Sequence, residues 1–245
     1  MTNFFTIWRR EFTACFLSPI AYVTMVVFLA MSGGTFFKGV LNNAGADQSL
    51  SCLLFGAVVL WMTALVSVVS MRLFAEEKRS GTIETLMTAP VTDAEVVLGK
   101  YAGALSFVLI VVVPALANIF VLAALSPAID VMTIDPGALC AGCLILFLVA
   151  AFFTSVGLLV SLTTNSQIVA AMCCFCVLWV LLLMGNIASA LPVDTAKLTD
   201  FGSPLVHIDS FSRGSIDTRP IVLYLSGTIL LLFVSIRVLE SRRWK

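Results

Sequence analysis

Residues 72–100 read RLFAEEKRSGTIETLMTAPVTDAEVVLGK, the one long charged stretch in a chain that is otherwise mostly apolar. This charged segment holds four of the fourteen basic residues and five of the fourteen acidic ones, and long apolar runs lie on both sides of it. The hydrocarbon core of a bilayer excludes so many charges. The charged segment is therefore predicted to be a water-exposed loop between two membrane spans, available to bind a soluble partner.

The composition of the whole chain is that of an integral membrane protein. Hydrophobic residues make up 60 % of the 245 residues and charged ones 11 %, whereas about a quarter of an ordinary soluble protein is charged. The net charge is zero, which gives no indication of a nucleic-acid partner. The seven cysteines fall mostly in apolar runs and are interpreted as packing residues, not as a disulfide framework or a metal site.

Six apolar runs are each about long enough to cross a bilayer as a helix. They are residues 19–37, 51–71, 101–125, 137–162, 168–191 and 221–239. An even number of spans places both termini on one side. Ten basic residues lie on the side of the charged segment and four on the other, so the positive-inside rule predicts that this segment and both termini are cytoplasmic. The prediction is an all-α membrane protein with one transmembrane domain, residues 1–245.

Two segments outside the spans have patterns of their own. In residues 1–18, apolar and aromatic side chains such as Trp8 recur at intervals of three and four, which predicts an amphipathic helix in the membrane interface. The alternative is that these residues begin the first span, but Pro19 favours a break. Residues 192–220, on the outer side, mix apolar and acidic residues and are predicted to fold back as short re-entrant helices.

The chain is poor in groups that could catalyse a reaction. Its single histidine, His207, stands in the outer segment beside Asp209, and no G-x-S-x-G motif is present. A surface role for His207 is favoured over an intramembrane enzyme, which stays a minor alternative. Gly99 and Lys100 resemble a phosphate loop only superficially, because Tyr101 stands where the magnesium-binding hydroxyl is needed. No enzyme activity and no cofactor are predicted for this chain.

Polar residues within the spans are the candidates for a transport pathway. Contacts between packed helices explain most of these polar residues, and the more specific hypothesis is that they line a transport pathway. The residues are Thr63, Ser67, Asn118 and Asn186. None is ionisable, and every charged residue can be placed at or beyond an interface, so ion coupling is disfavoured and the energy for transport must come from a partner. A stand-alone secondary transporter or channel is the alternative function.

The charged segment itself has the pattern of a helix, a break and a second helix. Gly81 interrupts the helix that continues from the second span, and residues 82–87 can form a short helix with Ile83 on its apolar face. Pro90 ends that helix, and Thr92 can cap the next one. A solvated connector is the simpler interpretation. A short helix with an apolar face between two breaks instead favours insertion into a groove on a partner.

Four stretches of the sequence resemble a known family. They are WRREFTACFLSPIAY at 8–22, FAEEKRSGTIETLMTAPVTDAEVVLGKY at 74–101, SPLVHIDSFSRGSIDTRPIVLYL at 203–225 and the closing ESRRWK at 240–245. The chain is similar to the membrane subunits of ABC exporters of the type-2 permease class, in particular those of gliding motility and nitrous-oxide-reductase maturation. The second stretch is the most specific of the four.

The resemblance implies a bacterial cytoplasmic (inner) membrane protein with an N-terminal elbow helix, a cytoplasmic coupling helix and an outer re-entrant segment. It implies separate ABC ATPase subunits, which bind ATP and Mg, and a second permease chain, identical or paralogous. The coupling residues would be Glu76, Glu77, Lys78, Arg79, Gly81, Thr82, Ile83, Glu84 and Leu86. The outer gate would comprise Ser203, Pro204, His207 and Phe211. The apolar pathway suits a lipid or hydrophobic peptide better than an ion.

Overall fold

A computed structural model describes residues 2–42, 49–81, 91–125, 136–188 and 202–242. These residues form ten helices, and no strand occurs among them. The helices are α1 (Thr2–Leu17), α2 (Pro19–Asn42), α3 (Leu50–Leu73), α4 (Ala75–Ser80), α5 (Asp93–Leu116), α6 (Asn118–Leu125), α7 (Pro136–Thr163), α8 (Gln167–Ala188), α9 (Pro204–Ser212) and α10 (Thr218–Arg242).

Six stretches of helix are long and apolar enough to cross a membrane, so the predicted all-α fold with six spans is confirmed. They are α2, α3 continued by α4, α5 continued by α6, α7, α8 and α10. The third begins at Asp93, eight residues before the start predicted from hydropathy. The reason is local: the Thr92 side chain accepts from the backbone N–H of Glu95, whose own side chain accepts from the N–H of Thr92. This capping box starts the helix in the polar region.

The centre of the bundle is the contact between α3 and α7. These two spans are the most buried, with 61 % of the residues buried in the apolar stretch of each, whereas the values for α2, α8 and α10 are 22, 22 and 17 %. The two central helices approach closely at Gly142, where an added Cβ would lie 2.0 Å from Cε2 of Phe55. A methyl group does not fit at that distance, so glycine sets the spacing of the two helices.

The third span is interrupted between α5 and α6. Pro114 lies inside α5, and because proline has no N–H and its ring crowds the preceding turn, the helix ends two residues later. Asn118 begins α6, and its Nδ2 donates to the carbonyl oxygen of Ala115 at 2.9 Å. The backbone N–H of Ala117 donates to the carbonyl oxygens of Pro114 and Ala115, so the last carbonyls of α5 have partners at the break.

The N-terminal helix is separate from the first span, as Pro19 predicted: α1 ends at Leu17 and α2 begins at Pro19. Helix α1 packs chiefly against α5. The Trp8 indole Nε1 donates to Ser106 Oγ of α5 at 3.2 Å, and the Phe16 ring packs edge-on against Phe107 of the same helix. The predicted location of α1 in the membrane interface is compatible with this placement and stays a prediction.

The outer segment contains one described helix, α9, which packs against α3, α7 and α8. It buries Ile208 and Phe211 in the main core. A short helix in this segment is compatible with the prediction for residues 192–220, of which residues 192–201 lie outside the described part of the chain.

At the opposite end of the bundle, Arg10, Glu11, Glu77 and Lys100 come together, and we call this the charged end.

Candidate coupling site

A buried lysine is the centre of the charged end. The Lys100 side chain is 1 % exposed, and its Nζ lies 2.8 Å from Oε1 of Glu77 and 3.1 Å from Oε1 of Glu11. It also lies 5.1 Å from the centre of the Phe74 ring. An ammonium group withdrawn from water needs such partners, because an unpaired buried charge costs several kcal/mol. Lys100 thereby connects α5, α4 and α1.

Arg10 completes the group, and we call Arg10, Glu11, Glu77 and Lys100 the ion cluster. The Nη2 atom of Arg10 lies 2.9 Å from Glu11 Oε1 and 3.3 Å from Glu77 Oε1, and the Arg10 side chain is 58 % exposed. Two cations and two carboxylates make the ion cluster neutral. Burial raises the pKa of Glu11, but the charge of Lys100 and the hydrogen bonds from Arg10 and Lys100 together outweigh burial and lower it.

Two glycines allow α1 to lie directly on α5. An added Cβ at Gly99 would be 2.8 Å from Cγ2 of Ile7, and one at Gly103 would be 2.8 Å from Cβ of Glu11. The spacing G-x-x-x-G puts both on one face of α5, where small residues permit close approach of two helices. Because α1 sits so near, the carboxylate of Glu11 reaches Lys100.

The start of α4 is joined to the end of α7. The backbone N–H groups of Phe74 and Ala75 both donate to Ser161 Oγ at 3.1 Å, which satisfies donors at a helix start. Lys78 Nζ donates to the carbonyl oxygens of Leu162 and, at 2.9 Å, Thr164. A cation at the carbonyl end of a helix is favoured by the helix dipole.

The charged segment is delimited by a helix stop and a helix start. Gly81 ends α4 in the left-handed conformation, with φ 72°, which glycine adopts without steric strain. Thr92 caps α5. Both features agree with the predicted break and cap. The ion pair between Glu77 and Lys100 closes the segment, because Glu77 precedes the helix stop at Gly81 and Lys100 follows the helix start at Thr92.

The structure brings together some of the predicted coupling residues. Glu77 belongs to the ion cluster, Lys78 holds the end of α7, and Arg79 lies in α4. Glu76 pairs with Arg72 one turn earlier at 3.3 Å and is 46 % exposed. The other predicted residues lie outside the described part of the chain, and their coupling role stays a prediction. They are Thr82, Ile83, Glu84 and Leu86.

Three of the four predicted pathway residues, Thr63, Ser67 and Asn118, have local partners. The buried hydroxyls of Thr63 and Ser67 donate to carbonyl oxygens of the preceding turn of α3, at 2.8 and 2.6 Å. Asn118 faces α2, where an added Cβ at Gly33 would lie 3.4 Å from its Oδ1. Asn186 lies in α8. These contacts are those of helix packing, and the pathway role of the four residues stays a prediction.

The predicted gate residues gather around α9. Ser203 precedes the helix, Pro204 occupies its first position, and Phe211 is fully buried. The predicted surface location of His207 is wrong, because the side chain is buried and its Nδ1 lies 2.9 Å from the Tyr224 hydroxyl of α10. Burial lowers the pKa of His207, and the charge of Asp217 opposes that shift in part. A histidine held in this way has a structural partner, and the gate role stays a prediction.

Sequence reasoning did not single out the ion cluster. An amphipathic helix in the membrane interface would turn its charged side chains toward water, whereas Glu11 is only 14 % exposed and pairs with Lys100. Two signals in the sequence could have indicated the contact. They are the G-x-x-x-G spacing of Gly99 and Gly103 and the single acidic residue in the otherwise aromatic and basic first helix.

Residues 9–238 match the sequence model of the family described as "ABC-2 family transporter protein". The chain belongs to this family. An ABC-2 permease is the membrane subunit of an ABC transporter, is not itself catalytic, and works in a bilayer with an ABC ATPase. No curated protein matches the chain closely enough to be reported as a relative. The match supports the predicted type-2 permease class and disfavours a stand-alone transporter, while the gliding-motility and nitrous-oxide branch stays a prediction.

Proposed function

We propose that this ABC-2 permease is one half of the membrane part of an ATP-driven exporter in a bacterial inner membrane. It pairs with a second permease chain and receives force from separate ATPase subunits through the charged segment. The observation that carries the proposal is the closure of that segment by the ion pair between Glu77 and Lys100. A segment fixed at both ends passes a displacement to the helices that hold it.

The contacts of the charged end define what such a displacement would move. A displacement of the charged segment would reach α1 through Glu11, α5 through Lys100 and α7 through Ser161. A push on residues 82–90 would therefore move three helices together as one rigid group. Rigid motion of packed helices, driven by a ligand that binds one state better, is the established way in which such a force changes a structure.

Two further observations support the orientation and the pairing. The ten to four distribution of basic residues favours a cytoplasmic charged end, and with it cytoplasmic termini. The close contact of α3 and α7 at Gly142 and Phe55 leaves no room for cargo between those two helices. A path between two permease chains is therefore favoured over one through the centre of a single chain.

The coupling proposal is tested by replacing Ile83 and Leu86 together with aspartate. Two charges on the predicted apolar face would prevent its burial in a groove, so we expect the tagged permease to lose the co-purifying ABC ATPase. The matched control replaces Ile83 with leucine and Leu86 with isoleucine, which keeps the face apolar. Glu77 is unsuitable as a target, because its loss would also break the ion cluster. Undiminished co-purification of the aspartate variant would contradict the proposal.

A further inference from the structure

A cavity of about 330 Å³ opens at the charged end, between α1, α3 and α4. Its polar wall carries Arg10, Arg72 and Glu76, and its apolar wall includes Cys15, Val69 and Leu73. The cavity has a polar wall and an apolar wall and lies at the end of the membrane spans. Lipid headgroups and acyl chains meet at this level of a bilayer.

Six charged side chains line the cavity, and the three most exposed of them are two cations and one carboxylate. The carboxylates of Glu11 and Glu77 are only 14 and 17 % exposed and pair with Lys100. Arg10 and Arg72 are 58 and 28 % exposed, and Glu76 is 46 % exposed, whereas Lys100 is covered by its two carboxylate partners. Guanidinium groups bind phosphate oxygens well, because their planar donors match that geometry. A carboxylate next to them suits an ammonium group. The pattern fits a headgroup that carries one phosphate and one ammonium.

An apolar groove begins where the cavity ends. It is small, about 20 Å³, and shares Cys15, Val69 and Arg72 with the cavity. Its other walls come from membrane spans, with Ile20 and Thr24 on α2 and Phe107 on α5. The groove has room for contact with the first methylenes of one chain.

The exposed face of α2 continues the groove. Val23 and Val27 follow Ile20 at helical spacing and are 63 and 49 % exposed. An acyl chain that leaves the groove would lie along these residues. A soluble ATPase cannot reach side chains of the spans, and a free phosphate ion would have no use for them. The continuity of polar cavity, apolar groove and exposed apolar face therefore favours a membrane lipid over either of these occupants.

We propose that this cavity binds a phospholipid whose headgroup contains a phosphate and a primary ammonium, the phosphatidylethanolamine class. The phosphate contacts Arg10 and Arg72, the ammonium contacts Glu76, and one acyl chain enters the groove beside Thr24. The bound lipid fills the space between α1 and α3. The proposal does not rest on coupling through the charged segment.

The test uses the full-length permease in detergent, with lipid binding followed by native mass spectrometry. The probes are phosphatidylethanolamine, phosphatidylglycerol, and glycerophosphoethanolamine, which is the headgroup without chains. We expect the wild-type protein to bind the first lipid more tightly than the second and to bind the chainless headgroup far more weakly. Replacement of Arg72 by alanine should weaken binding of phosphatidylethanolamine about tenfold, as expected for a lost charge-assisted hydrogen bond.

Three further variants make the test specific. Glu76→Gln should abolish the preference for phosphatidylethanolamine over phosphatidylglycerol, because only the first lipid has an ammonium group to contact that carboxylate, which pairs with Arg72 in the protein. Ala21→Phe fills the groove and should weaken both lipids. The matched control is Arg237→Ala, which removes an exposed arginine that pairs with Glu240 at 2.8 Å, outside the cavity, and should change nothing.

Four results would overturn the proposal. They are equal binding of the two lipids by the wild type, tight binding of the chainless headgroup, unchanged binding by a folded Arg72→Ala variant, and an equal loss with Arg237→Ala. Thermal unfolding of each variant shows whether it is folded, and Glu76→Gln keeps the question decidable if Arg72→Ala is not. Co-purification of the ATPase, measured on the same variants, reports separately on coupling.

Discussion

At the scale of single residues, the stability of the charged end depends most on Lys100. Its ammonium is withdrawn from water and compensates two carboxylates that are themselves mostly buried. Removal of one member of such a group leaves the others without compensation, which costs about 3–5 kcal/mol. We therefore predict that Lys100→Met markedly lowers the thermal unfolding temperature of the permease in detergent.

The control for this prediction is Lys38→Met, because Lys38 is an exposed lysine near the end of α2. It should have little effect, since exposed charges contribute little to stability. Adding Glu11→Gln and Glu77→Gln to Lys100→Met should restore part of the loss, because the one charge that then remains, on Arg10, is 58 % exposed to water. Equal unfolding temperatures for Lys100→Met and Lys38→Met would show that the ion cluster does not stabilise the fold.

A second prediction concerns the unfolding temperature at acidic pH. The pKa of Glu11 is lowered in the folded protein, so the folded state binds fewer protons than the unfolded state near the usual glutamate value of about 4.3. The stabilisation by Glu11 is therefore complete above that value and is lost as the pH falls through the lowered pKa. Unfolding temperatures measured between about pH 3 and 7 should fall less steeply at the acid end for Glu11→Gln than for the wild type. Parallel curves would contradict this assignment.

At the scale of helices, the position of α1 depends on the glycines of α5. A Cβ at Gly103 would lie 2.8 Å from Cβ of Glu11 and 3.4 Å from the backbone nitrogen of Phe12. A larger side chain must push α1 away and separate Glu11 from Lys100. We predict that Gly103→Leu lowers the unfolding temperature, with an overpacking cost of about 1–3 kcal/mol in addition to the loss of the ion pair.

The matched control is Gly34→Leu on α2, where an added Cβ would meet nothing within 4 Å. Leucine is a better helix former than glycine, so the control should be neutral or slightly stabilising. If Gly103→Leu also unfolds at the wild-type temperature, α1 does not pack on α5 in the way described.

The helices were easier to predict from the sequence than the contacts between them. The spans follow from the length of the apolar runs, and the end of α1 before Pro19, the stop at Gly81 and the cap at Thr92 follow from local chemistry. The ion cluster did not follow, because Lys100 and Glu11 are 89 residues apart in the chain. Their contact requires α1 to cross α5 at a particular point, and hydropathy carries no information about that crossing.

At the scale of the whole molecule, the two ends of the bundle differ in chemistry. At the charged end, ion pairs join α1, α4 and α5, and the side chain of Lys78 holds the end of α7. At the other end, α9 is held by apolar burial, by the bond between His207 and Tyr224, and by the Cys52 thiol of α3, which donates to Asp209 Oδ1 at 3.1 Å. Among the described residues, no ion pair joins α9 to a membrane span. A force applied at the charged end is thus distributed over several helices before it reaches α9. This division favours the charged end as the place where an ATPase acts.

Site-specific photocrosslinking in cells tests this central claim most directly. A photoreactive phenylalanine analogue is placed at Ile83 in the charged segment and, as the control, at Val206, an exposed residue of α9. The account predicts that the first position forms a covalent adduct with an ABC ATPase, identified by mass spectrometry, and that the second does not. An adduct with the ATPase from position 206 and none from position 83 would contradict the account.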